Sequence, residues 1–88
     1  MEMDHGELWY QIGALARRLH VDMLSETRTE DSVSFECQPA RGRRTVITIR
    51  LNPLDLYDVS TVAETVRDVY AEDLGGALLR LAGLALDD

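Results

Sequence analysis

TVITIRLNPLDLYDV, Thr45–Val59, is an alternating run brought to a stop. Ile47, Ile49 and Leu51 fall on one side of an extended chain, Thr48 and Arg50 on the other, and the run is rich in β-branched residues, so it reads as a strand with one buried face. Asn52-Pro53 ends it, because proline lacks the N–H that a ladder needs and biases the residue before it away from helix. A second, shorter apolar-polar segment follows at Leu54–Val59.

Upstream, Val33–Gln38 alternates in the same way, with Val33, Phe35 and Cys37 on one face and Ser34, Glu36 and Gln38 on the other. Pro39-Ala40-Arg41-Gly42 between the two runs is turn chemistry, so 33–51 is expected to be a hairpin. Val21–Thr29, with its Ser and Thr residues, is expected to be a further strand, ending in a turn at Glu30-Asp31-Ser32. Before it, Leu8, Ile12, Leu15 and Leu19 recur at helical spacing and predict a helix over about 6–20. Asp4 or Gly6 is placed to cap it, Glu7 favours its positive end and Arg17 and Arg18 its negative one. Gly13 is a mild weakness in that helix, and at least one of Trp9 and Tyr10 is expected in the core.

Downstream the period changes. Val62, Val66, Val69, Tyr70 and Leu74 follow helical spacing from a possible cap at Ser60, and Gly75-Gly76 interrupt it at about 1 kcal/mol each. One bent helix, two helices meeting at the glycines, and a strand over Thr65–Tyr70 feeding a helix from near Ala71 all fit. The chain is therefore expected to be a single α+β domain over residues 1–88: an N-terminal helix, an antiparallel sheet of about three strands, and a C-terminal helix or helix pair.

The 88 residues carry a net charge of −7, and every one of the nine basic side chains is arginine, a codon-usage sign of a GC-rich genome. An acidic chain is repelled by phosphate, so general binding to nucleic acid or to a membrane surface is not expected. No segment approaches the roughly 20 apolar residues of a membrane span. The acidic N-terminus lacks the apolar core of a signal peptide, which makes the cytoplasm the expected location.

Residues with chemical potential are few. Cys37, the single cysteine, excludes an intrachain disulfide and reads as a small buried hydrophobe. His5 with Asp4, or His20 with Asp22, lacks the third ligand that a zinc site needs. Cys37 with His20 as a nucleophile pair has no local signature to support it. Asp55, Asp58, Asp68, Glu72 and Asp73 could converge, but read better as a solvated face. Gly75-Gly76 is no phosphate loop. No enzyme activity, cofactor or metal is expected.

Two features point to partners. Arg41, Arg43 and Arg44 cluster at the expected hairpin tip, where they read either as charges that keep the hairpin edge from aggregating or as guanidinium forks that suit carboxylates on another protein. Leu78, Leu79, Leu81, Leu84 and Leu86, with Ala77, Ala82 and Ala85, spread around most of a helix, which one small sheet covers on one side only. The expectation is a homodimer through Leu78, Leu81, Ala82 and Leu86, with Ala82 and Gly83 allowing close approach.

Asn52-Pro53-x-Asp55-x-Tyr57-x-Val59, followed by Val69-Tyr70-Ala71-x-x-Leu74, resembles small uncharacterised proteins of phages that infect GC-rich bacteria. The resemblance covers about 25 of the 88 residues. It implies a phage or prophage origin, where small acidic proteins are often inhibitors of host proteins, anti-CRISPR proteins among them. The leading expectation is a non-enzymatic protein-binding module directed at a host protein in the host cytoplasm. A DNA mimic or regulator of a nucleic-acid process is the first alternative and a small enzyme the second.

Overall fold

The structure is a computed structural model that describes residues 3–38 and 44–82. It contains an α-helix α1 (His5–Arg18), strands β1 (Val21–Arg28), β2 (Ser32–Cys37), β3 (Thr45–Leu51), β4 (Tyr57–Ser60) and β5 (Thr65–Val69), a 3-10 turn (Ala71–Asp73) and a helix α2 (Leu74–Leu81). The strands form an antiparallel meander in chain order, β1-β2-β3-β4-β5.

Asp4 is the N-cap of α1, its Oδ1 accepting from the Glu7 amide at 3.0 Å. Two bonds tie the helix start to the β1–β2 turn. The Met3 amide donates to the Glu30 carbonyl at 2.8 Å, and His5 Nε2 meets the Ser32 carbonyl at 3.0 Å. Leu8 and Ile12 are buried on the helix and Leu19 just beyond its end. His20, at φ 53°, takes the left-handed position that reverses the chain into β1.

β2 and β3 pair without a break from Ser32↔Arg50 to Cys37↔Thr45. Unbroken pairing preserves the period of two, so Val33, Phe35, Cys37, Ile47 and Ile49 are buried together as the alternation requires. Both helices contribute to this core: Leu8, Ile12 and Leu19 meet it beside Leu74, Leu78 and Leu79. On the other face Thr27, Ser34, Thr48, Ser60 and Thr65 stand in register across all five strands. That is a solvated hydroxyl row, in which Ser34 Oγ and Thr48 Oγ1 lie 2.8 Å apart.

The sheet has five strands where about three were expected. The two added ones are β4 and β5, and β5 lies in the segment whose spacing looked helical. The cause is a bulge. Tyr57 pairs with Val69 and Val59 with Val66, so β5 carries one extra residue, and Asp68 takes a left-handed φ of 56° there. The bulge brings Val66 and Val69 to the same face three residues apart, which is also a helical interval. Val62 is fully exposed in the β4–β5 turn, held by Thr61 accepting from Ala63 and donating its own amide to Glu64. The strand-then-helix alternative is the one found. Gly75 and Gly76 lie inside α2, where a Cβ on Gly75 would stand 3.6 Å from Leu15 of α1.

Candidate functional site

α1 lies over the edge strand β1, and the gap between them is a groove of about 320 Å³ lined by Trp9, Gly13, Ala16, Arg17, Val21 and Met23. Trp9, Gly13 and Ala16 follow each other at intervals of four and three, one stripe of α1 beside the leucine stripe that enters the core. Side-chain volume drops along that stripe from an indole at Trp9 to a hydrogen at Gly13 and is only a methyl at Ala16, which opens the floor. A Cβ built on Gly13 meets nothing within 4 Å. A mid-helix glycine costs roughly 0.5–1 kcal/mol relative to alanine, and no neighbouring atom here requires it.

The outer wall depends on an irregularity of β1. Asp22 pairs with Glu36 and Thr27 with Ser34, so Met23 to Glu26 stand opposite Phe35 alone. Local bonds hold this bulge: Asp22 Oδ1 accepts from the Leu24 amide at 3.0 Å, and Ser25 Oγ accepts from the Glu36 amide at 2.8 Å. The bulge has two effects. It leaves Met23 54% and Leu24 97% exposed, and it aims Glu26 at α1, where its carboxylate accepts from the Trp9 indole N–H. Trp9 is further fixed by Phe35, the ring centroids 5.1 Å apart and tilted by 54°.

The rim is completed by Tyr10 and Arg17. Tyr10 shares a helix stripe with Gly13 and Arg17 and is 91% exposed. The Arg17 guanidinium is exposed and, among the described residues, makes no hydrogen bond or ion pair. A rigid indole, a flexible thioether and an open glycine floor form a receptive apolar surface of the kind seen at partner contacts.

The residues singled out from sequence fall elsewhere. Arg44 is turned onto its own sheet, bridging to Glu36 and, at 3.8 Å, to Asp22. Asp22 and Glu36 are directly opposed like charges, which destabilise a strand pair, and Arg44 offsets that repulsion. Arg41 and Arg43, with the Pro39–Gly42 turn, lie outside the described residues. In the C-terminal helix, Leu78 is 1% exposed and Ala82 is buried too, while Leu81 is half-buried against the core. The sequence argument for a dimer surface counted only the sheet as cover. α1 supplies the second wall, so Leu78 and Ala82 are enclosed by the chain itself. Leu84 and Leu86 lie outside the described residues.

Of the acidic residues, Asp58 and Asp68 do meet, but around a donor: Asn52 Nδ2 donates to Asp58 Oδ1 at 3.0 Å and to Asp68 Oδ1 at 2.9 Å. Glu72 and Asp73 are exposed on the 3-10 turn. Cys37 and His20 line one recess of about 210 Å³ together with Asp22, Glu36, Gln38 and Arg44. Burial pushes the Cys37 thiol pKa up, opposite to what activates a nucleophile. Among the described residues no group of three or more His, Cys, Asp or Glu side chains is placed to hold a metal, and no helix is long and apolar enough to cross a membrane.

Sequence reasoning noticed Gly13 only as a weak point of the helix and left the groove unseen. The available signal was the Trp9-Gly13-Ala16 stripe, one large side chain followed by two very small ones. Compared with protein-family models, curated proteins and solved structures, the chain matches none of them.

Proposed function

We propose that the chain is a non-enzymatic protein-binding module that takes its partner at the groove between α1 and β1. The observation that carries this reading is Gly13. It weakens a helix of only 14 residues, and its missing side chain faces open space in the one stretch where Trp9 and Met23 are also presented. A domain of this size gains stability by filling such a gap, and occupation by a partner's side chain is what an open gap permits. An inhibitor that acts by covering a host protein, as the resemblance to phage proteins implies, requires no further chemistry.

The DNA-mimic alternative draws less support. A mimic needs unpaired carboxylates in rows, whereas Asp22 and Glu36 are bridged by Arg44, Glu26 is bonded by Trp9 and Arg28, Glu64 by Arg80, and Asp58 and Asp68 by Asn52. The test of the leading reading is a paired capture from lysate of the native host on immobilised wild type and Gly13→Leu protein. A protein retained by the wild type and lost on the variant supports the groove. Equal retention on both columns overturns it.

A further inference from the structure

The groove is apolar except for its end, and that end has a sign. In a chain of net charge −7, the charged side chain that lines it is a cation, Arg17. The other described arginines near this edge are engaged: Arg28 is held by Glu26 at 2.8 Å and Arg44 by Glu36 and Asp22. Arg17 sits one helical turn from Gly13, so an apolar group resting over Gly13 brings whatever lies a turn further along within reach of the guanidinium. Resting on the binding reading above, we infer that the groove selects a segment of a partner protein that presents a bulky apolar side chain beside a carboxylate. The apolar group lies over Gly13 between Trp9 and Met23, and the carboxylate accepts from Arg17.

The recognition is by side chains, not by strand addition. β1 is an edge strand, but the bulge at Met23–Glu26 interrupts its outward row of N–H and C=O groups, which is how edges are kept from pairing. Arg17 is suited to the task because the acidic background disfavours acidic partners everywhere else, so a cation at the groove both attracts the carboxylate and fixes its register.

Trp9 is the only tryptophan of the chain, so its fluorescence reads the groove directly. The probes are phenylbutyrate and phenylbutylamine, which share a ring and chain and differ in charge, titrated at millimolar concentration into the wild type, Arg17→Gln and Gly13→Leu. In the wild type, saturable change with phenylbutyrate about threefold tighter than with the amine is expected, the size of a partly exposed ion pair. Arg17→Gln should bind both probes alike, and Gly13→Leu should lose saturable binding of both while melting no lower than the wild type. Equal binding of the two probes by the wild type overturns the charge selection and leaves the apolar groove standing. Unchanged binding by Gly13→Leu overturns the site itself, and with it the proposed function. Absence of saturable change with either probe overturns this inference alone, since the paired capture judges the partner reading separately.

Discussion

Asn52→Ala should cost about 2–3 kcal/mol, more than any other single polar substitution among the described residues. Asn52 is a buried polar residue at 7% exposure, and its side chain uses both ends. Its Oδ1 accepts from the amides of Leu54 at 2.9 Å and Leu56 at 3.2 Å, which winds the β3–β4 turn around it. Its Nδ2 donates to Asp58 and Asp68, joining β4 to the bulge of β5. A buried neutral bond is worth about 0.5–1.5 kcal/mol and one to a charged group about 1.5–3. Four such bonds, two of each kind, sum to roughly 4–9 kcal/mol if wholly buried. Asp58 is half-buried and Asp68 exposed, so water restores much of what is lost, and about a third to a half survives as a net cost, the roughly 2–3 kcal/mol expected.

Urea unfolding followed by Trp9 fluorescence measures it. With a slope of about 1 kcal/mol/M for a small domain, the midpoint should fall by about 2 M or more. Asn52→Asp separates the two ends. It keeps the acceptor for Leu54 and Leu56, removes both donors, and adds a third carboxylate beside Asp58 and Asp68. At pH 7 it should be at least as damaging as Asn52→Ala, because it sets a like charge beside two others. A loss below about 0.7 kcal/mol for Asn52→Ala, or a milder effect of Asn52→Asp at pH 7, would show that the carboxylate half of the network carries nothing.

Gly13→Ala should stabilise by about 0.5–1 kcal/mol, since a Cβ there meets no atom within 4 Å; a lower melting temperature would mean that the floor is not open. Cys37 should resist thiol reagents at pH 8 and react at the rate of unfolding, because it is buried and its pKa raised; free-thiol kinetics in native buffer would refute this. Tyr57 has its pKa raised by burial first, then by the nearby Glu7, Asp55 and Asp4 charges. The folded state therefore holds the phenol proton more tightly than the unfolded one. That contribution is complete below about pH 10 and is lost as pH climbs through the raised value. Tyr57→Phe should flatten the alkaline fall in melting temperature, and an unchanged fall would assign it elsewhere.

The legible parts of the fold are those where chain and geometry keep one period. β2 and β3 pair residue for residue, so the alternation of Val33, Phe35 and Cys37 against Ile47 and Ile49 could be read directly from the letters. The leucine stripe of α1 is regular for the same reason. β5 stood only as one of three readings because Asp68 adds a residue and converts a period of two into an interval of three, which Val66 and Val69 share with a helix. The enclosure of Leu78 was hidden because periodicity describes one element at a time, while the covering surface came from α1, some 60 residues away in sequence. The groove was hidden for a related reason. Trp9 and Glu26 are 17 residues apart, and only the bulge at Met23–Glu26 brings the carboxylate around to the indole.

That bulge shapes both the edge of the sheet and the groove beside it. β1 and β5 are the two edges of the meander, and both carry irregular registers. An uninterrupted edge with a hydrophobic flank invites strand addition from any extended chain, which is indiscriminate because it is read by backbone alone. Interrupting both edges removes that indiscriminate route. At β1 the interruption also displaces Met23 outward as a wall and turns Glu26 inward to fix Trp9. The same few residues that deny the edge to a foreign strand thus also build one wall of the groove. Straightening β1 by deleting three residues from the bulge would restore a continuous ladder with β2, but would also carry Glu26 away from Trp9 and close the groove from its open side.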